Sequence, residues 1–249
     1  MKYRLFSGLA VVAVAITAVV ALASASAEPD PAAAASANEK ITQQLARMIP
    51  GKPDAISATE MPGLYEVRFG TRLFYASEDG RYLFDGELYD LANGVNLTEA
   101  AGQSLRKELL AGLDADRLLT YPAKEEKYVV SIFTDIDCPY CRKLHDHMAE
   151  MNEMGVTVHY LLFPRAGVGS DSYKKAVSVW CATDRNLAMD RAKGGIEVES
   201  KQCENPVQEH IALVRDFGVT GTPAIVLESG KLVPGYLPPK RLLALLEAE

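Results

Sequence analysis

The chain has 249 residues, 48% hydrophobic and 24% charged, with a formal net charge of −7. That length and balance suit one large domain or two small ones and exclude a disordered or collagen-like chain. The acidic balance and the lack of a long basic cluster argue against nucleic acid as a partner, because phosphate binding needs a basic face.

Lys2 and Arg4 lead into an almost unbroken apolar run from residue 9 to 23, and Ala25-Ser26-Ala27 follows. This is the layout of a cleavable signal peptide over residues 1–27, and the run is shorter than the ~20 residues a spanning helix needs. All four cysteines, Cys138, Cys141, Cys181 and Cys203, follow the expected cleavage site, and an oxidising compartment permits disulfides. Residues 28–38, rich in Ala, Pro and Ser, read as a flexible segment. A short helix over 40–48 is expected next, ended by Pro50-Gly51. Residues 64–69, 73–75 and 82–84 are β-rich, with Asp79-Gly80 as a hairpin signal between the last two. They predict a small antiparallel sheet that needs a cover, and a second copy of the chain would supply one. Asn96 with Glu99 three residues on marks a helix start, continued by Leu105, Leu109 and Leu113. The expected division is 28–91 as an N-terminal domain, 92–122 as a linker helix, and 123–249 as a second domain.

In that second domain, a strand over 128–133, a helix from about 138 to 154 and a strand over 156–163 form a parallel βαβ unit. A helical stretch over 172–215 is interrupted at Gly194-Gly195 and Asn205-Pro206. A strand over 224–227, a Ser229-Gly230 turn, a further extended run and a helix over 239–246 complete an α/β domain within a chain that is α+β overall.

The chemistry-bearing motif is Cys138-Pro139-Tyr140-Cys141, directly after a strand and at a helix start. A helix N-terminus offers unpaired N–H groups and partial positive charge, which favour thiolate at Cys138. Pro139 suits the first turn, where its missing N–H costs nothing. Cys138 is the natural nucleophile of a thiol–disulfide exchange, and Cys141, a turn later, can attack the mixed disulfide and release the product. A structural CxxC, or half of a zinc site with Cys181 and Cys203 as further ligands, is the competing reading. Gly221-Thr222-Pro223 stands directly before a strand and by itself reads as a turn; read with the CxxC it is a second piece of one site, where a cis proline would be purposeful. Asp137, next to the nucleophile, is expected to raise the Cys138 pKa. His145 and His147 read as solvated helix residues ahead of any proton-transfer role, Trp180 as core, Asp135 as structural, and Tyr140 as exposed and placed to touch substrate.

The stretch from about residue 128 to 240 resembles the thioredoxin-like domain of the bacterial periplasmic disulfide isomerases of the DsbC/DsbG family. The motifs that carry it are Phe133-Thr134-Asp135-Ile136-Asp137-Cys138-Pro139-Tyr140-Cys141, Lys143-Leu144-His145, Phe163-Pro164-Arg165, Trp180-Cys181-Ala182, Gly218-Val219-Thr220-Gly221-Thr222-Pro223-Ala224 and Val233-Pro234-Gly235-Tyr236-Leu237-Pro238-Pro239-Lys240. Residues 61–120 resemble the family's dimerisation domain and linker helix more loosely. The resemblance implies a V-shaped homodimer joined through the N-terminal domains and a cis bond before Pro223, with Thr222 packed on the CxxC. It also implies a structural Cys181–Cys203 disulfide. As partners it implies misfolded exported proteins with wrong disulfides and an electron-donating inner-membrane thiol reductase of the DsbD type. The location implied is the periplasm, and no cofactor and no metal is expected. Pro139 stands where DsbC members carry Gly and matches the DsbG pattern. A DsbG-like reductase acting on oxidised single cysteines, a holdase chaperone without redox catalysis and a DsbA-like oxidase therefore stand beside the isomerase reading.

Overall fold

The computed structural model describes residues 31–249. The expected signal peptide over residues 1–27 lies outside them. The Ala-rich segment, expected to be flexible, is helical from residue 31 on: α1 spans Pro31–Leu45. Alanine is the best helix former. Ala37, Ile41 and Leu45, four residues apart, are buried against Tyr65, Val67 and Phe74. The expected helix over 40–48 is therefore the end of a longer one.

The surface that α1 covers is a four-stranded antiparallel sheet in the order β1 (Ala55–Ala58), β2 (Leu64–Phe69), β3 (Arg72–Ser77) and β4 (Leu83–Phe84). Its hairpin turn holds Gly80 at φ 70°, and a Cβ there would stand 3.0 Å from the Lys40 carbonyl of α1. Glycine is thus required twice, by the turn and by the helix lying on it. A two-stranded ribbon follows, β5 (Tyr89–Asp90) and β6 (Val95–Asn96). Beyond α1's reach, Tyr82, Phe84, Tyr89, Leu91 and Val95 remain exposed, Leu91 by 91%.

Helix α2 (Leu97–Ala111) starts where expected, with the Asn96 side chain accepting from the Glu99 N–H at 3.0 Å. The C-terminal sheet has the order β11-β10-β8-β9-β7, built from β7 (Leu119–Tyr121), β8 (Tyr128–Thr134), β9 (Val156–Leu162), β10 (Ala224–Leu227) and β11 (Leu232–Pro234). The βαβ expectation holds, since β8 and β9 are parallel, while β7, β10 and β11 join antiparallel. Side chains alternate between two cores, as the pleat requires. Ile132, Tyr160 and Ile225 face the larger one, and Phe133, Leu161 and Val226 the smaller. Leu109, Leu110 and Leu113, at the end of α2 and just beyond it, pack on the smaller core.

The expected helix over 138–154 is two helices, α3 (Pro139–His145) and α4 (Met148–Glu153), broken where His147 leaves helical geometry at ψ 11°. The long helical stretch is three, α5 (Asp171–Trp180), α6 (Arg185–Lys193) and α7 (Val207–Asp216), and α8 (Pro239–Leu246) closes the chain. The break between α5 and α6 has a local cause: Asp184 caps the new helix at the Leu187 N–H.

Candidate active site

Sheet register builds the site. The central strand β8 ends at Thr134, and its antiparallel neighbour β10 begins at Ala224, paired with Phe133. The residues just outside each strand, Asp135–Cys138 and Thr222–Pro223, therefore meet at one sheet end. The Thr222–Pro223 bond is cis. Cys138 occupies the N-cap of α3 with Pro139 in its first turn, and its Sγ lies 3.3 Å from the Thr222 carbonyl oxygen, which accepts from the thiol. Both Cys138 and Cys141 are free thiols, 2% and 0% exposed. Tyr140, between them, is 63% exposed, as expected, and the Pro223 carbonyl accepts from the Gly235 N–H at 2.8 Å. The sequence-predicted Pro139, Tyr140, Thr222 and Pro223 thus surround the cysteine pair.

Burial raises the Cys138 thiol, but the Thr222 side chain, the Cys141 backbone and side chain and the Tyr140 backbone outweigh it, and the net pKa lies below the ordinary value. The net pKa of Cys138 lies low with Asp137 beside it. Its carboxylate pairs with Lys175 at 2.8 Å and Arg142 at 3.2 Å, so its field at the sulfur is offset by two cations. Burial pushes the Cys141 thiol up, against the Lys193 charge and hydrogen bonds from Asp135, Thr222 and Thr134. The Thr222 hydroxyl is buried and makes no hydrogen bond among the described atoms, yet its side chain lowers both thiols.

Cys181 and Cys203 form a disulfide with Cα atoms 5.7 Å apart. They are therefore not available to share a metal with Cys138 and Cys141, and the zinc reading loses its second pair of ligands.

Two matched families divide the chain. Residues 26–99 match the disulfide bond isomerase protein N-terminal domain, and residues 115–249 match a thioredoxin-like domain. The thiol:disulfide interchange protein DsbC of Escherichia coli strain K12 is 38% identical over 211 residues, covering 85% of this chain and 88% of the relative. The chain belongs to the DsbC family. The DsbC of Dickeya dadantii is 43% identical over 188 residues, 75% of this chain and 77% of the relative. That of Haemophilus influenzae is 40% identical over 192 residues, 77% and 82%. This DsbC-family chain is accordingly a thiol:disulfide interchange protein, an oxidoreductase whose thioredoxin-like domain carries the CxxC.

Two residues of this DsbC-family site, His145 and Lys193, differ from the sequence reading or escaped it. His145 is not solvated as expected but 8% exposed, because residues 141, 144 and 145 form the inward face of α3. Its ring nitrogens meet Tyr160 Oη at 3.1 Å and Asp190 Oδ1 at 3.0 Å, and burial holds its pKa down. His147 is the more open of the two and pairs with Glu150 at 3.0 Å. Asp135 is structural, as expected, and a hub besides: it accepts from the Arg165 N–H and Nε, both at 3.1 Å, from the Asp137 N–H at 3.0 Å, and from Ser172 Oγ. This ties the Phe163-Pro164-Arg165 loop to the cysteine loop. Lys193, which the sequence did not single out, is 3% exposed. A lysine before Gly194-Gly195 reads as an ordinary solvated helix end, and nothing local signals its burial. Trp180 is core, as expected, with the Arg185 guanidinium 3.7 Å above its ring.

Proposed function

We propose that this chain is a periplasmic disulfide isomerase in which Cys138 is the attacking sulfur. The Cys138 thiolate attacks a wrong disulfide in an exported protein, forming a mixed disulfide and freeing one substrate thiolate. The substrate then rearranges and its own thiolate expels Cys138, or Cys141 resolves the mixed disulfide and leaves the substrate reduced. Thr222, Pro223, Pro139 and Tyr140 are the wall and the substrate contacts, and Cys181–Cys203 is structural. What carries the reading is the pair of free thiols with the more acidic one at the helix N-cap, facing the cis Thr222–Pro223 peptide.

The division proposed is a signal peptide over 1–27, a dimerisation domain over 28–91, a linker helix over 92–122 whose last residues are already an edge strand, and a catalytic domain over 123–249. The export-type leader supports the periplasmic location. The exposed apolar residues of 82–95 support a homodimer and a surface for unfolded clients. A pair that works reduced needs an electron donor, for which an inner-membrane reductase of the DsbD type is the proposed partner. Pro139 keeps a DsbG-like reductase as the second reading.

Refolding of scrambled ribonuclease by the reduced protein, run beside gel filtration, tests this. Wild type restores activity and elutes as a dimer, and Cys138→Ala loses isomerisation. Undiminished refolding by Cys138→Ala, or a monomer with oxidase activity alone, overturns the proposal.

A further inference from the structure

The sheet order β10-β8-β9 puts the active-site end of β8 between two loops. On one side, β10 brings the cis Thr222–Pro223 peptide to Cys138. On the other, β9 runs into Phe163-Pro164-Arg165, where the Phe163 N–H donates to the Thr134 carbonyl at 2.8 Å. Arg165 is held there by a buried carboxylate: its backbone N–H and its Nε both donate to Asp135 Oδ2 at 3.1 Å. The carbonyl of the same Asp135 accepts from the Cys138 N–H at 3.2 Å. One residue thus fixes the nucleophile through its main chain and the guanidinium through its side chain. The two members of the ion pair differ in exposure, with 4% of the Asp135 side chain open and 46% of that of Arg165.

Only Nε of the guanidinium is engaged in this way, and neither Nη makes a hydrogen bond among the described residues. A guanidinium anchored at Nε keeps its outer edge, two parallel N–H donors spaced for the two oxygens of a carboxylate. Resting on the proposed attack by Cys138, we infer that Arg165 is a specificity-determining residue of the exchange, binding a Glu or Asp side chain close to the attacked cysteine of the client. The client sulfur on Cys138 then lies between the Thr222–Pro223 wall and an acidic neighbour seated on Arg165.

The other cations around Cys138 are already engaged. Lys175 and Arg142 answer Asp137 at 2.8 and 3.2 Å, and Arg142 also donates from Nε to the Ile136 carbonyl at 2.9 Å. Lys193 is 3% exposed and donates inward, to Thr134 Oγ1 at 2.6 Å and to the Asp135 carbonyl at 2.8 Å. Asp135 does not cancel Arg165 one for one, because its carboxylate also accepts from Ser172 Oγ and from the Asp137 N–H. The Arg165 pKa stands above its ordinary value, first through the hydrogen bond to Asp135 and then, against the cost of burial, through the charges of Cys138, Asp135 and Cys141. The side chain is therefore always charged, and it is held in place before a client arrives, so little rotamer freedom is lost on binding. The whole chain carries −7, which repels an acidic client at long range. A preference for acidic neighbours has to come from a local group.

The test uses the reduced protein and short peptides whose single cysteine is joined to an aromatic thiol. Attack by Cys138 on the peptide sulfur joins the peptide to the protein, and the aromatic thiolate leaves, coloured, with the electron pair. The peptides carry Glu or Gln beside the cysteine, on one side or the other. Each rate is divided by that with a free small thiol, which removes the effect of the carboxylate on the disulfide itself. The wild type is expected to favour Glu over Gln roughly fivefold in second-order rate on at least one side, and high salt to erase the difference. Arg165→Met should bring the ratio to about one. Any fall in Cys138 reactivity or in stability slows both peptides alike and leaves the ratio untouched. Arg165→Lys keeps the ion pair with Asp135 but loses the fork, so it should retain roughly twofold; it decides the matter should Arg165→Met fail to fold. Equal rates in the wild type, a preference that survives Arg165→Met, or the full preference in Arg165→Lys overturns the role of Arg165. A reaction undiminished in Cys138→Ala overturns the Cys138 reading itself, and this proposal with it.

Discussion

At the scale of single residues, the site is tuned less by the neighbours of Cys138 in sequence than by groups brought to it from other elements. Thr222 is the strongest case: its side chain lowers both thiols, and its hydroxyl has no other partner among the described atoms. Thr222→Val should therefore raise the Cys138 pKa and slow its alkylation at neutral pH by roughly threefold. An unchanged midpoint in alkylation against pH would remove the hydroxyl from this role. Asp135 acts on structure. Burial alone would raise its carboxyl, but hydrogen bonds from Ser172, Asp137 and Arg165 hold it below the usual carboxylate range. A depressed folded pKa contributes stability that is present above the unfolded value and lost as pH falls through the folded one. Asp135→Asn should cost about 2–4 kcal/mol at neutral pH, since it unpairs Arg165 and part of the loop network. Urea unfolding should show that gap narrowing once the pH falls below the ordinary carboxylate value of about 4.

At the scale of elements, the insertion helices show what the second cysteine pair does. Cys181 caps the C-terminus of α5, and Cys203 lies in the irregular stretch between α6 and α7, 22 residues on. That stretch has few backbone hydrogen bonds of its own, so the cross-link does work that secondary structure does elsewhere. The Cys181→Ser/Cys203→Ser double variant should lose about 3 kcal/mol in denaturant unfolding. Its Cys138 alkylation rate should stay at the wild-type value, because the bridge is not part of the thiol cluster. Helix α2 shows a different kind of fixing. Arg106, 4% exposed, donates from Nε to the Gly230 carbonyl at 2.6 Å and pairs with Glu99. Gly230 has φ +88°, and a Cβ there would fall 2.0 Å from the Gln103 carbonyl of α2. The linker is thus seated on the β10–β11 turn, so Gly102 and Gly112, which weaken a helix on propensity alone, do not leave it loose.

At the scale of the whole molecule, the N-terminal sheet buries one face under α1 and leaves an apolar strip beyond it. Phe84 is 56% and Leu91 91% exposed, which supports the proposed surface for a second copy or for unfolded chains. Phe84→Asp with Leu91→Asp should convert the proposed dimer to a monomer in gel filtration and depress isomerisation of scrambled substrate. The reaction of the Cys138 thiol with a small disulfide should be unaffected, since that chemistry lies within one C-terminal domain. Retained dimerisation would place the interface elsewhere.

Much of this was legible in the sequence because it is local. The apolar strand runs over 128–133 and 224–227, the Asn96 cap, the Asp79-Gly80 turn and the Cys138-Pro139-Tyr140-Cys141 motif each state their geometry within a few residues. So the sequence by itself determined the strand-to-helix seat of Cys138, the proline before β10 and the α/β character of the domain. What tertiary structure alone decided depends on which distant surface a residue meets. The Ala-rich segment became α1 because a sheet was there to bury Ala37, Ile41 and Leu45. His145 left solvent because α6 supplied Asp190, and the charge of Asp137 was answered by Lys175 from α5, 38 positions away. Lys193 is the furthest from its sequence appearance. Nothing within α6 marks it as different from a solvated lysine, and only the packing of α6 on α3 carries its amine beneath the sulfurs. Hydrogen-bond partners and dielectric are properties of the folded neighbourhood, and they set the chemistry of a motif whose position the chain already declares.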